Sequence, residues 1–251
     1  MAKELFRSGD HLCVAFNDLV RGEGAVQANQ FLIMDGGQAA LLDPGGPLLY
    51  TPLSIALARY VQPRNLTYLL ASHQDPDIVG SVDSWFLYTP VRVVCSQLWG
   101  RFIPHGVPYY QKNAGADRYQ LLPDEGGEIP LGRTSLKAVP AHFLHSEGNF
   151  QFYDPVSRIL FSGDCGVSLI DVHTPLEPVT DFDSIRPRME GFHRRYMASN
   201  RACRWWVQRA RQLDIDMIMP QHGLPLKGAA IPRFFDWIEG LTCGVDLLPI
   251  N

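Results

Sequence analysis

Six residues of this chain have the types and placement to hold metal ions. The run Ser72-His73-Gln74-Asp75-Pro76-Asp77-Ile78-Val79-Gly80 sets one imidazole and two carboxylates on alternate positions, directly after the apolar stretch Leu66–Ala71. Imidazole nitrogen and carboxylate oxygen are donors that divalent first-row metals accept. A proline between two acids is expected to keep the backbone extended, so that the donors fan out instead of coiling into a helix. Single polar residues follow other apolar runs in the same way: His145 beyond Ser135–Pro140, Asp164 after Ile159-Leu160-Phe161-Ser162-Gly163, and His222 after Met217-Ile218-Met219-Pro220-Gln221. One histidine after a strand is ordinarily a hydrogen-bonding residue. Six donors at the C-terminal ends of buried strands amount to a ligand set for two metals. His142 competes with His145, but two residues three apart on a strand point to opposite faces, so only one of them is expected to be a ligand.

The elements that must position these donors alternate between strand and helix. Strands are expected at Gln30–Met34 and Ala39–Asp43 around the turn Gly36-Gly37, at Leu66–Ala71 and at Val91–Cys95. Helices are expected over Leu53–Val61 and Ile78–Tyr88, whose apolar spacing is helical. Later strands are expected at Ser135–Pro140, Phe150–Tyr153, Arg158–Phe161 and Asp216–Met219, with a long helical region from Ile185 to Gln212 before the last of them. The two halves repeat the pattern of strands first and helices after. That pattern predicts an α/β fold with two mixed β-sheets packed face to face and helices outside, an αββα sandwich. Residues 1–251 read as a single domain, with no internal repeat or low-complexity linker.

Composition narrows the class. With 46% hydrophobic and 19% charged residues, the chain reads as an ordinary soluble protein with a substantial core. A formal charge of -4 offers no general positive field for nucleic acid. Arginines at 186, 188, 194, 195, 201, 204, 209 and 211 form a local exception, read either as a solvated helix face or as a docking surface for an acidic partner. The 5 cysteines are odd in number and form no C-x-x-C pair, which fits a reducing compartment and excludes a zinc-ribbon module. The first ten residues contain no apolar core of a signal peptide, and no apolar run reaches the roughly 18 residues that span a bilayer. A cytoplasmic location without membrane attachment is expected.

Taken in order, these motifs resemble the metallo-β-lactamase superfamily, whose hydrolases carry H-x-H-x-D-H followed by a distant His, Asp and His. Asp75 stands where the second His would be, and Ile78 where the last would be. Those departures are similar to the flavodiiron proteins, which carry H-x-E-x-D there. His145, Tyr153, Leu160-Phe161-Ser162-Gly163-Asp164, Arg195–Asn200 and Asp216–Gly223 extend the resemblance over most of the chain. The run His145-Ser146-Glu147-Gly148-Asn149 departs from the H-W-P-D-S of the reductases. The chain also has no length for a flavodoxin or rubredoxin domain, and hence no FMN site. It is therefore most similar to stand-alone oxygen-binding diiron proteins.

The resemblance implies that His73, Asp75 and His145 hold one metal, Asp77 and His222 the other, and that Asp164 bridges them. Tyr153, Tyr196 and His142 are the implied supporting residues around a bound gas. Three carboxylates favour hard metals, so two iron ions (Fe2+/Fe3+) with a bridging oxo or hydroxo group are expected, with manganese or zinc possible in the same site. Ile78 in place of His would leave an open position on the second metal, where dioxygen or nitric oxide could bind between ions ~3.5–4 Å apart. The alternative on the same geometry is a dinuclear zinc hydrolase acting on thioesters, lactones or phosphoesters through a bridging hydroxide. A homodimer is implied by resemblance, as is a signalling partner or an external flavodoxin- or rubredoxin-type electron donor.

Overall fold

The computed structural model describes residues 2–19, 26–107, 116–171 and 173–249. Two sheets form the centre. The first has the order β1-β2-β3-β4-β5-β6-β7, from Ala2–Ser8, His11–Asn17, Asn29–Asp35, Gln38–Leu42, Tyr68–Leu70, Arg92–Ser96 and Tyr119–Leu122. Its first four strands are antiparallel and β4 to β7 run parallel. The second has the order β13-β12-β11-β10-β9-β8, from Leu226–Lys227, Met217–Pro220, Ile159–Gly163, Phe150–Asp154, Thr134–Pro140 and Gly127–Leu131. Within it only β11 and β12 are parallel.

Three apolar clusters give the layer order. Phe31, Ile33, Phe152 and Phe161 pack between the sheets, with Phe31 and Phe161 rings 4.9 Å apart. Leu53, Ile78 and Trp85 fill the space between the first sheet and its helices. Those helices are α1 (Tyr50–Leu57), α2 (Pro76–Val79) and α3 (Val82–Tyr88). Met189, Trp206 and Phe234 do the same beneath α4 (Phe182–Tyr196), α5 (Asn200–Ala210) and α6 (Ala230–Glu239) on the second sheet. Strands β2 and β11 are buried along their whole length and mostly apolar, as a sheet covered on both faces requires.

The expected αββα architecture is present, with local corrections. Pro76 does not hold the chain extended: it is the first residue of α2, where its missing N–H costs nothing and its fixed φ suits a helix. The expected helix Ile78–Tyr88 is two short ones, α2 and α3, separated at Gly80-Ser81. The region Ile185–Gln212 is α4 and α5, broken at Met197-Ala198-Ser199 because Ser199 caps α5 by accepting from the Ala202 N–H. The helix expected over Leu53–Val61 starts earlier and ends earlier, at Tyr50–Leu57.

The sheets are joined at both ends. At the C-terminal ends of β5, β11 and β12, Phe150 N–H donates to the Ser72 carbonyl at 2.9 Å and Asn29 N–H to the Gln221 carbonyl at 2.6 Å. At the far end, buried His11 lies between two carboxylates, 2.8 Å from Asp154 of the second sheet and 3.3 Å from Asp35 of the first. The Asp154 carboxylate also accepts from the Ser157 side chain and backbone. Burial alone would lower the proton affinity of His11, but Asp154 and then Asp35 raise it overall.

Candidate metal centre

The expected ligands lie beyond the C-terminal ends of strands, Asp77 in the first turn of α2 and His145 in a loop, and the structure brings all six into one cluster. His73 follows β5 and Asp164 follows β11, while His222 follows β12. Ligand atoms of His73, Asp75 and His145 lie within 4.8 Å of one another. His145 Nε2 is 2.9 Å from Asp75 Oδ2, and His73 Nε2 is 3.6 Å from the same oxygen. A second group stands beside it, with His222 Nε2 3.2 Å from Asp77 Oδ2. Asp164 serves both: its Oδ2 is 3.6 Å from His145 Nε2 and its Oδ1 is 3.8 Å from His222 Nε2.

Two of the three imidazoles are oriented through the nitrogen that faces away from the cluster. His73 Nδ1 pairs with Ser72 Oγ at 2.9 Å, and His222 Nδ1 donates to the Gln27 carbonyl at 2.6 Å, which turns both Nε2 atoms inward. Gln74 donates to Asp75 Oδ1 at 3.0 Å and accepts from Ser146 Oγ at 2.7 Å, so Asp75 presents Oδ2 to the histidines. Asp43 accepts from the Ser72 N–H at 2.8 Å, and its burial pushes its carboxyl up to about 6 despite that bond.

Backbone geometry explains how His145 reaches the cluster. Residues 141–149 form a loop beyond β9, not a strand, and both Phe143 (φ +65°) and His145 (φ +72°) adopt left-handed conformations that cost a residue with a Cβ. The loop is over-determined by Phe143 N–H to Ser146 carbonyl (2.9 Å), Asn149 Nδ2 to Leu144 carbonyl (2.8 Å) and a bridge between Leu144 and Met197. Two glycines admit the other ligands. At Gly163 (φ +53°) a Cβ would come within 3.2 Å of Ser72, and at Gly223 (φ +93°) it would overlap Ser168 at 2.1 Å.

The electrostatics are those of a cation site. His145 and His73 hold the Asp75 carboxyl far below its usual range. Burial pushes Asp77 up, but His222 outweighs it and the group is lowered. Burial pushes the His222 imidazole down; Asp77 and the charge of Asp164 overcome this and raise it to about 9. Asp164 Oδ1 is buried and accepts no hydrogen bond. A buried carboxylate oxygen without a donor is costly, and a metal ion in this position satisfies it. The donor set therefore fits cations, with Asp164 facing both ligand groups.

The three supporting residues expected from the sequence fare differently. Tyr196 is in place, its ring 5.3 Å from that of His145, edge to face, with Phe192 stacked on it at 4.7 Å. Tyr153 lies toward the opposite end of β10, where its hydroxyl donates to the Asp214 carbonyl at 2.8 Å. His142 turns from the cluster, donating from Nε2 to the Asp124 carbonyl at 2.7 Å and stacking on Trp205. Strand alternation is thus not what separates it from His145; the loop is. Ile78 packs in the apolar layer under α1 and α3, so its place is set by the core. Gln27 and Phe192 were not legible as site residues, since Gln27 acts through its main-chain carbonyl and Phe192 through ring packing alone.

Two mixed sheets with helices on both outer faces, and a polar cluster at the strand ends, define a metallo-β-lactamase-like αββα protein. Comparison with known proteins narrows this. The model of the ODP family beta lactamase matches residues 26–223, and the chain belongs to that family. A solved structure of the peroxy diiron species of the chemotaxis sensor ODP is 38% identical, with a TM-score of 0.86 over 98% of this chain and 97% of that one. The apo state of that sensor from T. denticola is 37% identical with the same TM-score of 0.86 and the same coverage of 98% and 97%. A flavo di-iron protein from Thermotoga maritima shares the fold at 20% identity and a TM-score of 0.75, covering 95% of this chain and 60% of that one. Among curated proteins, an uncharacterized protein of Methanocaldococcus jannaschii is 23% identical over 217 residues, 85% of this chain. The chain spans 53% of that relative's length. No helix among the described residues is long and apolar enough to cross a membrane.

Proposed function

We propose that this chain is a non-haem diiron protein that binds dioxygen, or nitric oxide, and acts as a sensor. The observation that carries this reading is the division of Asp164, whose two oxygens face two ligand groups, each with its own carboxylate and imidazole. His73, Asp75 and His145 would hold one iron, Asp77 and His222 the other, with Asp164 between them. A metal pair held by these residues would supply the electrons that binding of a diatomic gas requires.

The protein's own residues prepare that chemistry. Ser72, Gln74 and the Gln27 carbonyl fix the ligands before metal arrives. Three carboxylates leave two divalent ions with about one positive charge, which suits hard, oxygen-binding iron better than a histidine-rich set does. Phe192 and Tyr196 pack against His145 and shield that side from bulk water. Sensing is supported by the near full-length match to a chemotaxis sensor. A signalling protein or an external electron donor is the corresponding partner class.

The test is anaerobic reconstitution with two equivalents of ferrous iron, then exposure to air. A persistent visible absorption band, abolished by reductant, supports the reading. Two zinc ions per chain from native expression, hydrolysis of a lactone or thioester and no colour with iron overturn it in favour of the hydrolase.

A further inference from the structure

Outside the metal cluster, one of the cavities among the described residues has largely apolar walls. It has a volume of about 390 Å³ and lies between the start of α5 and the loop that carries His145. Trp205, Ala202, Ala198, Phe143 and Val245 make its walls apolar, and Arg201 stands at its rim. The size falls within the range of small-molecule sites. Trp205 is fixed in advance: the Arg209 guanidinium sits 3.6 Å from its ring centroid and the His142 ring stacks on it at 5.9 Å.

Charge decides what the cavity takes. Arg201 is exposed, and among the described residues no carboxylate lies within ion-pairing distance of it. Two of the backbone donors at the start of α5 are already used. Asp246 accepts from the Asn200 N–H at 2.6 Å, and Ser199 Oγ from the Ala202 N–H at 3.4 Å. The anchoring charge is therefore one guanidinium, which matches one carboxylate bidentately. A phosphate, which calls for several donors, is not matched by this rim.

We propose that this cavity is a binding site for an amphiphilic monocarboxylate, with its apolar body against Trp205 and Phe143 and its carboxylate on Arg201. The site does not depend on what the metal cluster binds. Its occupant nevertheless packs on Phe143, two positions before His145 in the same loop.

Decanoate and decan-1-ol serve as probes, titrated calorimetrically into the full chain below their aggregation concentrations. Decanoate is expected to bind saturably at one site per chain. A charge-assisted hydrogen bond is worth about 1.5–3 kcal/mol, so Arg201→Glu is expected to weaken decanoate at least about tenfold. Arg201→Lys retains most of the binding, and decan-1-ol binds wild type no better than decanoate binds Arg201→Glu. Ala202→Trp, which fills the cavity from a half-buried helix position, is expected to abolish binding while the variant still unfolds in a single cooperative transition. Decanoate binding that survives both Arg201→Glu and Ala202→Trp overturns the proposal, as does absence of saturable binding to wild type. So does a dimer that Ala202→Trp converts to monomer, because the cavity is then covered by a second copy.

Discussion

In the metal-free protein, raising the pH should weaken the fold through His222. Its proton affinity is raised from the ordinary 6.5 to about 9, because Asp77 and Asp164 outweigh the burial that opposes them. A group whose folded-state pKa is raised contributes stability that is fully present below about pH 6.5 and lost as pH rises through about 9. At about 1.4 kcal/mol per pH unit, the difference is worth about 3 kcal/mol. For a chain of this size, 1 kcal/mol moves the melting temperature by about 2–4 °C, so the expected fall is about 6–12 °C between pH 6.5 and 9. The assay is thermal unfolding of chelator-treated protein at half-unit pH steps, with His222→Gln run alongside. Subtracting the variant removes other titrating groups, His11 included. Metal-loaded protein should show the opposite trend, because metal binding requires unprotonated imidazoles. A wild-type minus variant difference that stays flat or grows from pH 6.5 to 9 would refute the reasoning.

Asp164→Asn removes the shared negative charge and should lower iron content from two per chain toward one, as measured by elemental analysis after anaerobic loading. Gln74→Leu frees Asp75 Oδ1 and leaves Ser146 unpaired; metal affinity should fall about 10–100-fold in chelator competition, with little change in the urea midpoint. Asp154→Asn strips the charge that holds His11 and should destabilise the fold by about 3 kcal/mol in urea titration, leaving metal stoichiometry at two.

Much of the candidate cluster is legible in the sequence because His73, Asp164 and His222 come within three residues of a strand end. Apolar runs such as Leu66–Ala71 and Ile159–Gly163 end abruptly in a polar donor, and parallel strands bring such ends to one edge. What escaped notice is what acts without a side-chain signature. The β1 strand is not legible because Ala2–Ser8 mixes charged and apolar residues irregularly. The break between α4 and α5 depends on one serine hydroxyl in an otherwise helical stretch. Pro76 was ambiguous in principle, since the same ring that keeps its predecessor extended also starts helices, and Asp75 does stay extended at φ -63°, ψ 149°. Tyr153 matched a motif by position while its strand carried it toward the other end of the sheet.

The arrangement of His11 between Asp35 and Asp154 bears on how a binding event leaves the site. One edge of the sandwich is fastened by ligands drawn from both sheets, and the opposite edge by this buried imidazole and its two acids. A pair of plates clamped along two opposite edges can neither slide nor open like a book. Under the proposed function, any movement on gas binding would fall to the parts that are not plates. The left-handed turn through Phe143 and His145 is one such part, with a ligand at one end and an exposed aromatic ring at the other.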